Sequence, residues 1–122
     1  MMEEFKLKEL KKDRPVAVIE ATGRLNSKAA RDLFLRCEGL YHDGYKKIVV
    51  KLSDVTFIAS SGAGTLVKLT YDFLERGGFF QVAAVSDPVM RVIDLLNSRQ
   101  FLNIASDVDD AMLKLEALAT PE

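Results

Sequence analysis

Apolar and charged residues alternate with period two through Phe5-Lys6-Leu7-Lys8, the pattern of a half-exposed strand near a sheet edge. Asp13-Arg14-Pro15 interrupts the pattern as a turn, and Val16 to Ala21 reads as a second strand close enough to pair with the first as an antiparallel hairpin. Gly23 is expected to break that strand, and Asn26 or Ser27 to cap the helix that follows. There Ala30, Leu33, Cys37 and Leu40, with Phe34 and Tyr41, recur every three or four positions and define one apolar face, ending near Gly44.

Ile48 to Leu52 is a short β-branched run typical of a buried strand. Ser60-Ser61-Gly62 opens a second helix with Leu66, Leu69 and Phe73 on one side and Val67 and Leu74 nearby, stopped at Gly77-Gly78. Phe79 to Val85 forms the next strand. Ser86-Asp87-Pro88 combines a capping carboxylate with a proline at the first helical position, and Val89, Val92, Ile93 and Leu96 form the inward stripe of the helix it starts. Phe101 to Ala105 is a last short strand. Ser106 to Asp110 then starts a helix with Ala111, Met112, Leu115 and Leu118 inward. The order β-β-α-β-α-β-α-β-α implies an α/β domain with a mostly parallel sheet, an N-terminal hairpin, right-handed crossovers and four helices. One domain over 1–122 is expected, frayed at 1–4 and 119–122.

Composition narrows the function classes. The chain has 122 residues, of which 48% are hydrophobic and 29% charged, enough to bury a core without disulfides or metal. A net charge of -1 gives no overall field that draws the protein to nucleic acid or an anionic membrane. No run of apolar residues is long enough to span a bilayer, and Met1 to Asp13 lacks the apolar stretch of a signal peptide. Its single cysteine, Cys37, excludes an internal disulfide framework. These features fit a cytoplasmic protein. The oligomeric state is left open.

The chemistry-bearing residues are few. His42 is the one histidine and Cys37 the one cysteine, too few soft ligands for a tetrahedral metal site. Cys37 is expected in the core, and His42 at a helix end where its charge suits the dipole. A nucleophilic Ser60 or Ser61 would need a positioned base, and Ile58-Ala59-Ser60-Ser61-Gly62 does not match the Gly-x-Ser-x-Gly elbow. Gly62-Ala63-Gly64-Thr65 follows a strand as a phosphate-binding turn would, but Lys68 comes too late for a Walker lysine and Val67 replaces the third dinucleotide glycine. No catalytic residue and no cofactor follow; nucleotide binding is a remote alternative. Two readings of the serine pair stay open. One makes Ser60 or Ser61 a helix cap, stabilising by about 1 kcal/mol; in the other the same hydroxyl accepts a phosphate that a docked partner does not tolerate.

Leu52-Ser53-Asp54-Val55-Thr56-Phe57-Ile58-Ala59-Ser60-Ser61-Gly62-Ala63-Gly64-Thr65-Leu66 resembles the signature of STAS domains, the anti-sigma factor antagonist family. Gly23-Arg24-Leu25-Asn26 is similar to the family's Gly-x-Leu-Asp turn, and Asp87 to Val92 to its third-helix start. The resemblance covers nearly the whole chain. It implies a four-helix, roughly five-stranded domain that binds an anti-sigma factor and serine kinase of the GHKL-ATPase type, which ends the interaction by phosphorylating the first serine, here Ser60 (alternatively Ser61). The expected partner-binding surface comprises Asn26, Ser27, Ala59, Ser60, Ser61, Gly62 and Ala63, and Met90 and Arg91, early on the third helix, border it because successive parallel strands deliver their following helices at one edge. This sequence departs from the family at Ala59 and Asn26, where aspartates are usual. Their loss leaves open a constitutive, unphosphorylated scaffold in a signalling or transporter-associated assembly.

Overall fold

A computed structural model describes residues 4–118. The chain runs β1 (Lys6–Asp13), β2 (Val16–Leu25), α1 (Ser27–His42), β3 (Lys47–Ile58), α2 (Ser60–Glu75), β4 (Phe79–Ala83), α3 (Asp87–Leu95), a 3-10 turn (Arg99–Phe101), β5 (Ile104–Ala105) and α4 (Val108–Leu118). The five strands form one sheet in the order β1-β2-β3-β4-β5. β1 and β2 pair antiparallel, and every later pair is parallel. This is the α/β architecture expected from the element order. The frayed ends expected at the termini fall outside the described residues, Glu4 excepted.

Strand alternation sorts the core into two layers. Ala17, Ile19 and Ala21 of β2, Ile48, Val50 and Leu52 of β3, and Phe80 and Val82 of β4 belong to a cluster completed by α1, α2 and α3. Val18, Val49 and Ala83, on the other face, pack with Ala111 and Leu115 of α4. Connectivity decides this division. Because β2 to β5 lie in sequence order, right-handed crossovers put α1, α2 and α3 on the same side of the sheet. α4 follows the last strand, needs no return, and covers part of the opposite face. Full burial of each large side chain, such as Leu33, Leu66 or Ile93, stabilises by about 1.5–3 kcal/mol.

Several sequence expectations are corrected here. β2 continues to Leu25, because Gly23 is accommodated inside the strand at φ 97°. A Cβ there would collide with the Glu4 carbonyl oxygen, so only glycine lets the two backbones approach so closely. β3 extends well past Leu52 to Ile58, since its polar second half pairs with the end of β2. β4 stops at Ala83, Ala84 having φ 52°, and β5 contains only Ile104 and Ala105. Leu96 and Leu118, expected inward, are exposed, as is Leu74, expected beside the apolar side of α2. Asp87 does not cap α3: Ser86 is the N-cap residue, and its hydroxyl donates to the Val55 carbonyl at 2.6 Å instead of capping the helix.

Cys37 is buried on the inner face of α1, where desolvation pushes its thiol pKa well up. At the same end, Arg76 forms a bidentate pair with Glu38 at 2.7 and 3.1 Å and stacks over Tyr41 at 4.1 Å, clamping α1 to α2 near their C-termini.

Candidate functional site

The site is built at the opposite end of these two helices. β2 and β3 finish side by side, Leu25 opposite Ile58, and each passes into its helix within two residues. The Ala59 N–H donates to the Leu25 carbonyl at 3.0 Å, tying the two exits together. At the α1 exit Asn26 is the N-cap, its Oδ1 accepting the Ala29 N–H at 3.0 Å. At the α2 exit the N-cap is Ala59, which has no side-chain acceptor.

Neither serine is therefore a cap, contrary to the simpler of the two sequence readings. Ser60 and Ser61 are already inside the first turn of α2 and are exposed. Ser61 Oγ lies 2.8 Å from Ser27 Oγ, the first residue of α1, in a hydrogen bond that either hydroxyl can donate. The Ser60 hydroxyl has no intramolecular partner among the described residues. The first turns of α1 and α2 carry no acidic side chain, so neither helix offsets the positive end of its dipole from within its own first turn.

Gly62 and Ala63, expected on the contact surface, are buried instead. A Cβ on Gly62 would meet the Leu25 carbonyl oxygen at 2.8 Å and Ile58 Cγ1 at 2.9 Å. Glycine thus lets the start of α2 sit on the strand ends, and it supports the serines from beneath. Met90 is half-buried against the main core and Arg91 is exposed; among the described residues no hydrogen bond or ion pair joins either to the serines. The Ser86–Val55 hydrogen bond anchors the start of α3 along the same sheet edge. Sequence reasoning missed the partnership of Ser27 and Ser61 and the position of Arg24, stacked over Phe57 at 4.2 Å. Arg24 and Asn26, with Glu4, Phe5, Lys28 and Asp32, line an open cleft of about 310 Å³ beside the α1 start. Alternation along β2 places Arg24 at the strand end; nothing local announces a hydrogen bond across 34 residues.

Distance separates the serines from the histidine. Ser27 starts α1 and His42 ends it, and a helix of 16 residues holds them roughly 22 Å apart. No general base from that residue reaches Ser60 or Ser61. The exposed His42 and buried Cys37 do not converge either, and no cluster of three metal-ligating side chains occurs among the described residues. Strand order never reverses between β2 and β5, so the crevice where open α/β sheets usually hold nucleotides is not formed at these strand ends. What the surface offers is hydroxyls and backbone on a rigid platform.

The match to the STAS domain spans residues 8–111, from the edge strand into α4. The chain belongs to the STAS domain family. The anti-sigma factor antagonists of this family are non-enzymatic regulators. A protein of Thermotoga maritima, provisionally named an anti-sigma factor antagonist, is 35% identical over 69 residues, which are 57% of this chain and 61% of that protein. The match thus spans about three fifths of that relative's length. The crystal structure of a protein of the same provisional description and organism superposes with a TM-score of 0.77 at 26% identity, covering 92% of this chain and 94% of the other. The fold is shared with the anti-sigma factor antagonist SpoIIAA in its unphosphorylated form, with a TM-score of 0.73 at 17% identity over 96% of this chain and all of the other. SpoIIAA of Bacillus is also solved in the phosphorylated form. No helix among the described residues is long and apolar enough to cross a membrane.

Proposed function

We propose that this STAS domain is an anti-sigma factor antagonist acting in the cytoplasm. It docks an anti-sigma factor and serine kinase of the GHKL type on the surface made by the starts of α1 and α2. Asn26, Ser27, Ala59, Ser60 and Ser61 form the contact, Gly62 and Ala63 hold it up from below, and Met90 and Arg91 border it. Phosphorylation of Ser60 ends the interaction. The observation that carries this reading is the exposed Ser60 hydroxyl in the first turn of α2, without a hydrogen bond among the described residues. The provisional name of the Thermotoga maritima relative supports the partner class.

The physics of the switch is local. A phosphoserine brings about two negative charges, which the start of a helix tolerates and a closely docked surface does not. A misplaced interfacial charge costing ~3 kcal/mol weakens binding roughly a hundredfold while leaving the fold intact. Incubation with the kinase and ATP, followed by phosphate mapping by mass spectrometry, tests the reading. Ser60→Asp is expected to lose most of the partner affinity and Ser60→Ala to keep it in the presence of ATP. Absence of label on both Ser60 and Ser61, with partner binding unchanged by Ser60→Asp, refutes the switch.

A specific feature favours a second reading. The α2 N-cap is Ala59, so no carboxylate stands beside the serine to orient its hydroxyl. The domain would then be a constitutive scaffold in a signalling or transporter-associated assembly, and Ala59→Asp would confer phosphorylation without abolishing partner binding.

A further inference from the structure

We infer that Ser27 is a positioning residue that directs phosphorylation to Ser60 by occupying the hydroxyl of Ser61. This inference rests on the phosphorylation switch proposed above and adds the determinant of which serine is used. Ser60 and Ser61 are the same chemical group, adjacent in sequence, both exposed and both in the first turn of α2. Neither caps the helix. What distinguishes them is one contact: Ser61 Oγ is 2.8 Å from Ser27 Oγ, whereas Ser60 Oγ has no intramolecular partner among the described residues.

The backbone sets that contact. Leu25 and Ile58 are paired at the strand ends, and the Ala59 N–H donates to the Leu25 carbonyl, so the two helix starts are held in fixed register. Asn26 fixes where α1 begins through its bond with the Ala29 N–H. Gly62 lets α2 settle against Leu25. Ser27 and Ser61 therefore face each other across the junction between helices, and Ser60 is left exposed.

In the transfer, a serine Oγ attacks the γ-phosphorus of ATP and the bond from that phosphorus to the β–γ bridging oxygen breaks. ADP leaves, and the hydroxyl proton passes to a base of the kinase. A hydroxyl already engaged with Ser27 must first break that bond or turn from it. If Ser61 donates, its proton is occupied; if it accepts, its rotamer is held toward α1. In either case an exposed hydrogen bond of ordinary strength biases the choice roughly two- to tenfold toward Ser60.

The test maps phosphate on the full-length protein after treatment with its GHKL-type kinase and ATP, comparing wild type, Ser27→Ala, Ser27→Thr and Ser61→Ala. The expected result is Ser60 label in wild type, a two- to tenfold rise in the Ser61:Ser60 ratio in Ser27→Ala, and restoration of the wild-type ratio by the hydroxyl of Ser27→Thr. In Ser61→Ala the label should sit on Ser60 alone, whatever its total. A ratio unmoved by Ser27→Ala, or equal labelling in wild type, overturns the role of Ser27 while leaving the switch standing. No label on either serine removes the switch itself, and this inference with it. Because a merely structural Ser27 would alter total label and melting temperature together, the site ratio in a folded variant separates the two roles.

Discussion

Substituting alanine for Gly62 and for Gly64, two positions apart on α2, should move stability in opposite directions. At Gly62 the new methyl would sit 2.8 Å from the Leu25 carbonyl oxygen, 2.9 Å from Ile58 Cγ1 and 3.1 Å from Leu25 Cγ. The carbonyl cannot swing away, because it accepts the Ala59 N–H that ties the strand exits together. Overpacking of this kind costs about 1–3 kcal/mol, and the helix-propensity gain of alanine over glycine returns at most about 1 kcal/mol. A net loss of up to about 2 kcal/mol, centred near 1 kcal/mol, follows. At Gly64 no atom lies within 4 Å of the added carbon, so only the propensity term acts, and Gly64→Ala should stabilise by roughly 0.5–1 kcal/mol. The two variants should therefore differ by about 2 kcal/mol in urea unfolding at equal m-value, or ~6–12 °C in melting temperature. Gly62→Ala as stable as Gly64→Ala would mean that α2 does not rest on Leu25, and the placement of Ser61 beside Ser27 would lose its cause.

Other consequences are equally direct. Native Cys37 should resist a disulfide reagent and react only as fast as the protein opens, because burial removes both access and thiolate. Its raised folded pKa gives stability that is present below the unfolded thiol pKa of about 8.5 and is lost above it at about 1.4 kcal/mol per pH unit. The difference in alkaline slope between wild type and Cys37→Ala reads this directly, and identical slopes would contradict it. Arg76→Ala should cost about 1–2 kcal/mol through loss of the bidentate pair and the stack on Tyr41, with Arg76→Lys recovering only part. A double-mutant cycle with Glu38→Gln that returned no coupling would show the pair to be idle.

The parts of the fold that local pattern encodes were legible before any coordinates. The alternation at Phe5 to Lys8, the β-branched run at Ile48 to Leu52, the apolar stripes through Leu40 and Phe73, and the stop at Gly77-Gly78 place strands and helices because each is a local pattern of burial or backbone freedom. The second half of β3 was not legible. Ser53, Asp54 and Thr56 are exposed, and the segment is a strand because its neighbour β2 supplies hydrogen bonds from residues more than 30 positions away. The same holds at Gly23, where a strand survives a glycine because another backbone must pass close by.

The amino-acid order by itself determined the element types, the α/β class and the presence of a serine pair at a helix start, since each depends on neighbours within a turn or two. Only the tertiary structure decided that three helices share one face, that Asn26 caps while Ser60 does not, and that Ser61 is bonded whereas Ser60 has no partner among the described residues. Those distinctions arise where β2 and β3 end side by side, and a contact between positions 27 and 61 exists only once the sheet has brought them together.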